Sequence, residues 1–261
     1  MLHRPDPIGD GCCSPISEDD PMTTQTMHDF NWARSAGLAY LAVAVLAGFA
    51  ELSVRTGMVI QGDTAATMAN IASNQMLYGL AGIADLLVLL LDTWLGLAFW
   101  MLLKPVNKPI ALLALFLNLL RLPWMGANVV YHFGALLLVN GALPSFPPEQ
   151  VQDLVALLLD LHAYGYTANG IFFGAWCFTI GWLFYRSGFV PRLLGVVMML
   201  ALVGYWTDLF VVFVLPAFEP TVSPVAIMPA ALAEISVCLW LTFRGGSVHR
   251  GFQRHISTLA A

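Results

Sequence analysis

Residues 76–104, MLYGLAGIADLLVLLLDTWLGLAFWMLLK, are long and apolar enough to cross a bilayer, yet they carry Asp85 and Asp92. On a helix of about 3.6 residues per turn, acids at these two positions share nearly one face. Ionisable groups inside a membrane helix are costly, so by default they face a bundle interior, a water-filled cavity or a site. The rest of the chain has the same character. It is 59% hydrophobic and only 10% charged, with a mean hydropathy of +0.76, which excludes an ordinary soluble domain.

Residues 1–30 are rich in Pro, Asp, Ser, Thr and Gly without apolar periodicity and read as a disordered tail, in which Met22 or Met27 is an alternative start. The first apolar run, Ala36 to Val54, competes with a signal peptide cleaved near Ala50. It continues through Glu51 and Arg55, a favourable i,i+4 pair, and reads better as an uncleaved span. Between it and the second span, Asp63 or Thr64 caps a short interfacial helix with Ala66, Met68, Ala69, Ile71 and Ala72 on its apolar side. The third span starts near Ile110 and holds Asn118, Arg121, Asn128 and His132, with Pro123 as a kink. A helical pattern from Glu149 becomes the fourth span near Ala163, where Gly170 and Gly174 allow close helix approach. The fifth, Leu193 to Val214, holds Asp208. A loop with Pro220 and Pro224 leads to the sixth, about Ile227 to Phe243, which holds Glu234. The expected fold is all-α: a polytopic bundle of six transmembrane helices over residues 31–245, followed by a basic tail over 246–261.

Basic residues orient the bundle. Arg34, Lys104, Lys108, Arg186, Arg192, Arg244, Arg250 and Arg254 fall at one end and only Arg55 at the other, which places both termini in the cytoplasm. No basic cluster suggests nucleic acid, and no phosphate loop or dinucleotide fingerprint suggests a cofactor. Cys12 and Cys13 are adjacent in the tail, and Cys177 and Cys238 sit in apolar runs, so neither a disulfide framework nor a zinc site is indicated. His132, His162 and Asp160 match no metal-ligand motif, and no metal is expected.

Helical rise gives each charge a depth. Counting from the cytoplasmic turns, Asp92 lies ~18 Å up, Asp85 ~28 Å, Arg121 ~18 Å, Asp208 ~24 Å, Glu234 ~15 Å and Glu51 ~24 Å. The acids share the middle and outer leaflet, which points to one polar chamber opening outward. Asp85 comes near enough to the outer surface for water to satisfy it, whereas Asp92 is level with Arg121. Not all five acids can be ionised in a low-dielectric site facing only Arg121 and the interfacial Arg55. Asp92, Asp208 and Glu234 are the candidate acid–base residues; Asp85, Arg121, Glu51, Trp124, Asn128, Tyr205 and Asn169 are candidate binding residues. The plainer reading gives Glu51–Arg55 and Arg121 structural ion pairs, and the outer aromatics an interfacial place.

Several stretches, RSAGLAYL with AEL and Arg55, GDTAATMANIAS, DLLVLLLD with LLKPVNKPIALLALF, and HAYGYTANGIFFGAWCFTIGWLFYRSGFVPRLLGV, resemble bacterial integral membrane proteins of the domain of unknown function 4386 family. The resemblance covers about Ala33 to Leu241 and implies a multi-span membrane protein with no established activity. Three function classes follow. The first binds a lipophilic or amphipathic small molecule, most concretely with acid–base chemistry of the isoprenoid cyclase or isomerase kind. The second is a proton- or cation-coupled transporter, and the third a membrane scaffold or sensor. The lipid bilayer and such a small molecule are the expected partners. Asp92→Asn and Asp208→Asn are expected to spare folding and abolish function.

Overall fold

The computed structural model describes residues 30–260, the side chains of 249 and 254–260 excepted. The tail expected over residues 1–30, with Cys12, Cys13, Met22 and Met27, lies outside the described residues up to Phe30, as does the Arg254 side chain. Among the described residues there is no strand, and six helices are long and apolar enough to cross a membrane. We number the helices α1 (Trp32–Met58), α2 (Thr64–Ser73), α3 (Gln75–Leu103), α4 (Lys108–Val139), α5 (Pro148–Ser187), α6 (Arg192–Val214) and α7 (Glu219–Ala260).

Local sequence sets the ends. Asn31, Asp63 and Asn107 each precede a helix and accept a hydrogen bond from the amide three residues on, at Arg34, Ala66 and Ile110. Pro148 opens α5, where a missing N–H costs nothing, and Gly188 ends it in the left-handed region at φ 73°. The loop expected around Pro220 and Pro224 is instead the start of α7. Pro220 falls in its first turn, where proline is tolerated, and the helix runs on through Pro224 and Pro229. The residues beyond 245 continue the same helix, with Phe252 packed edge-on to Phe189. Likewise α4 continues through Pro123. In α1, Phe49–Arg55 widens to a π-helix, with Thr56 N–H bonded to the Glu51 carbonyl.

The spans form a closed ring. Each packs on its neighbours in chain order, α1–α3–α4–α5–α6–α7, and α7 returns to α1. Small residues allow the closest crossings. A Cβ on Gly174 would come within 3.1–3.3 Å of Trp206, Tyr205 and Leu202, so the expected GxxxG partner is α6. A tighter crossing lies further along, where a Cβ on Gly181 would stand 2.6 Å from the Gly195 carbonyl and one on Gly195 2.7 Å from that of Gly181. The short α2 lies against α5 and α4. Its buried side is Thr67 and Ile71, while Ala69 and Ala72 face outward, contrary to the apolar face expected. Thr67 can be buried because its hydroxyl donates to the Asp63 carbonyl at 2.9 Å and accepts from Ile60 N–H at 2.9 Å.

Fully buried Leu95, Phe99, Leu102, Leu103, Ile180, Leu183 and Phe184 fill the ring toward the end that carries Lys104 and Arg186. The other half of the ring is not filled.

Candidate functional site

In that half the ring encloses a cavity of about 440 Å³, lined by residues of all six spans. Asp85 and Asp92 from α3, Arg121 from α4, Asn169 from α5, Tyr205 and Asp208 from α6 and Glu234 from α7 all line it. Seven of the ten residues singled out in the sequence therefore meet in one lumen.

Each acid is held differently. Asp92, 2% exposed, pairs with Arg121 Nη2 at 2.7 Å. Asn118 completes the unit, donating to the Asp92 backbone carbonyl at 2.8 Å and accepting from Arg121 Nε at 3.1 Å. Gly96 leaves room for its amide, which a Cβ there would strike. The guanidinium lies over Phe173 and Trp176, 4.6 and 5.8 Å from their ring centroids. Asp92→Asn would strand this buried cation, so it is not the fold-sparing substitution expected from the sequence; for Asp208→Asn that expectation stands as a prediction. Among the described residues the Asp208 carboxylate takes part in no ion pair or hydrogen bond. Glu234 accepts from the Tyr40 hydroxyl at 2.9 Å on one oxygen and from the Tyr205 hydroxyl on the other. Asp85 is not left to water: it pairs with Arg55, a buried residue that also holds Glu51 at 3.0 Å.

Three candidates fall elsewhere. Glu51 is half exposed and outside the lumen, paired to Arg55. Trp124 and Asn128 lie in a second cleft between α4 and α5, where they join helices. Trp124 Nε1 donates to the Gly165 carbonyl at 2.8 Å, and Asn128 Nδ2 to that of His162 at 3.0 Å. Asn128 fits because Gly165 has no Cβ. His132 and His162 stand with ring centroids 5.7 Å apart, each bonded to a backbone carbonyl, at Tyr78 and Asn128. A carbonyl can only accept, so those ring nitrogens donate, and among the described residues His132 Nδ1 and His162 Nε2 have no hydrogen-bond partner. Asp160 is exposed, and among the described residues no group of three or more His, Cys, Asp or Glu is placed to hold a metal.

Tyr40, Phe173 and Trp176 are lumen residues that the sequence reading does not single out; Tyr166, an aromatic that suits either a pocket or the outer interface, lines the lumen. No charge or motif marks Tyr40, a polar group inside an apolar run. Each tyrosine–glutamate bond stabilises by about 1.5–3 kcal/mol if the carboxylate is charged. Tyr40→Phe and Tyr205→Phe are thus each expected to lower the thermal unfolding midpoint in detergent, while Tyr164→Phe in the second cleft leaves it unchanged. Equal midpoints for all three would show that the tyrosine hydroxyls do not hold Glu234.

The sequence model of the domain of unknown function DUF4386 matches residues 35–245. The chain belongs to this family. An uncharacterized protein of Archaeoglobus fulgidus is similar to this DUF4386 chain, 30% identical over 171 residues, which cover 65% of the chain and 85% of that relative. No solved structure matches it. The matched region takes in every lumen residue named above.

Proposed function

We propose that this DUF4386 protein is a multi-pass protein of the bacterial cell membrane, with both termini cytoplasmic, whose lumen opens outward and binds a lipophilic or amphipathic small molecule. Asp208 and Glu234 are the acid–base pair of this reading, one free to exchange a proton with a ligand and the other steadied by two phenols. In its most concrete form, an acid protonates an isoprenoid double bond while a carboxylate and aromatic faces stabilise the developing cation.

The supporting observation is a cavity of about 440 Å³, within the size of small-molecule sites, in which carboxylates without cation partners face a mainly apolar wall. A scaffold would leave every acid paired and no cavity. The buried residues between Leu95 and Leu103 and between Ile180 and Phe184 pack the basic end, which closes the lumen on that side.

Native mass spectrometry of protein purified from bacterial membranes tests this reading. A small-molecule adduct is expected, and Ala231→Trp, which fills the lumen, should remove it while the protein stays folded. The reading fails if no adduct forms even after incubation with a total lipid extract, or if Ala231→Trp retains it. Orientation has its own test: a reporter fused after Ala261 should be cytoplasmic, and an extracytoplasmic reporter would reverse the topology.

A further inference from the structure

The lumen is unevenly provided with charge and with hydrogen-bond donors. Asp85 and Asp92 are matched by Arg55 and Arg121, which leaves Asp208 and Glu234. The tyrosine hydroxyls on Glu234 are neutral donors; they satisfy its oxygens without cancelling a charge. Asp208 follows Tyr205 by three residues on α6 and so shares its lumen face, one turn along from Glu234's partner.

An independent observation comes from α5. Asn169 lines the same lumen, is only 6% exposed, and its Oδ1 accepts no hydrogen bond. A buried amide oxygen without a donor is costly unless something in the cavity supplies one. Among the lining residues the cation, Arg121, is engaged by Asp92 and Asn118, and Tyr40 and Tyr205 bond Glu234, while Tyr166 and Thr167 add only neutral hydroxyls. What remains unmatched by a cation is therefore the carboxyl pair Asp208 and Glu234, beside an apolar wall with the open aromatic side chain of Tyr166.

We propose that the ligand is an amphiphile carrying a protonated amine, its N–H groups shared among Asp208, Glu234 and Asn169 Oδ1 and its apolar part along the lumen wall. This rests on the reading that the lumen binds a small amphipathic molecule, and adds the chemistry of its head group. An ammonium supplies N–H donors and one positive charge, which is what the unmatched carboxyls lack. A fatty carboxylate would bring a further acid to a lumen whose remaining carboxyls already lack a cation, and an alcohol would bring a donor but no charge.

The test uses the full chain in nanodiscs of zwitterionic lipid, with decylamine, decanol and decanoate as probes at neutral pH and empty nanodiscs as the blank. Decylamine is expected to bind at least tenfold more tightly than either of the others. Asp208→Asn should weaken it at least fivefold, and Tyr164→Phe should leave it unchanged. If decanol or decanoate binds as tightly as decylamine, the amine assignment is wrong while the lumen remains a binding site. The amine assignment is equally wrong if Asp208→Asn folds and binds decylamine as before. If none of the three binds above the blank, the binding reading fails and the amine assignment with it. Should Asp208→Asn fail to fold, the comparison of the three probes on the unsubstituted protein still decides.

Discussion

Replacing Arg121 by methionine is expected to take away much of the protein's stability, and adding Asp92→Asn to the same chain to restore most of it. The single substitution leaves Asp92, 2% exposed, without the cation that faces it at 2.7 Å. Breaking one side of a buried ion pair costs about 3–5 kcal/mol, because the remaining charge is stranded in a medium that cannot solvate it. Whole-protein stabilities are about 5–15 kcal/mol, so the loss removes much of the margin. The double variant leaves two neutral side chains, and Asn118 keeps its bond to the residue-92 carbonyl. Size-exclusion profiles and unfolding midpoints in detergent distinguish the cases. If single and double variants behave alike, the pair is not what holds α3 to α4 at this depth.

The second large effect is expected at the α5–α6 crossing. A Cβ on Gly195 would stand 2.7 Å from the Gly181 carbonyl and from the Tyr185 amide nitrogen, both backbone atoms that cannot turn aside. Apolar burial does little to hold helices together in lipid, so close packing must, and small residues are what permit it. Gly195→Ala should cost about 1–3 kcal/mol through overpacking, and Gly195→Leu should leave no monodisperse protein. Gly246 is the control, since nothing lies within 4 Å of its added Cβ. Gly246→Ala should be neutral or stabilise by up to about 1 kcal/mol through helix propensity. Tolerance of leucine at 195 would mean that the two helices are held by other contacts.

The spans were legible because hydrophobic length is a one-dimensional signal, and the depth ranking brought Asp92 level with Arg121 because helical rise is fixed. What failed was direction around the helix. Trp124 and Asn128 lie close to Arg121 in angle, but the lumen takes Met125 and Val129 from the other side of that residue. A polar side chain in a membrane helix is equally at home lining a cavity or bonding a neighbour's backbone, and these two do the latter. Arg55 misled for a related reason. Its local partner Glu51 seemed sufficient, and the sequence carries no mark of a second one on α3. Prolines 220 and 224 suggested a loop because proline breaks soluble helices, whereas membrane helices tolerate it.

The ring also bears on how the chain assembles. Every large interface but one joins consecutive spans, so each can form as soon as its second helix leaves the ribosome. The exception is the seam between α1 and α7, where Gly37 lies against the backbone of Leu241 and Thr242, and Gly245 against Arg34. Until α7 arrives, the first five spans are an open gutter with Tyr40 on one rim and Tyr205 on the other, and no Glu234 between them. The sixth span thus shuts the wall and delivers the carboxylate that both tyrosines await, so the site can assemble only after the five spans before it are in place.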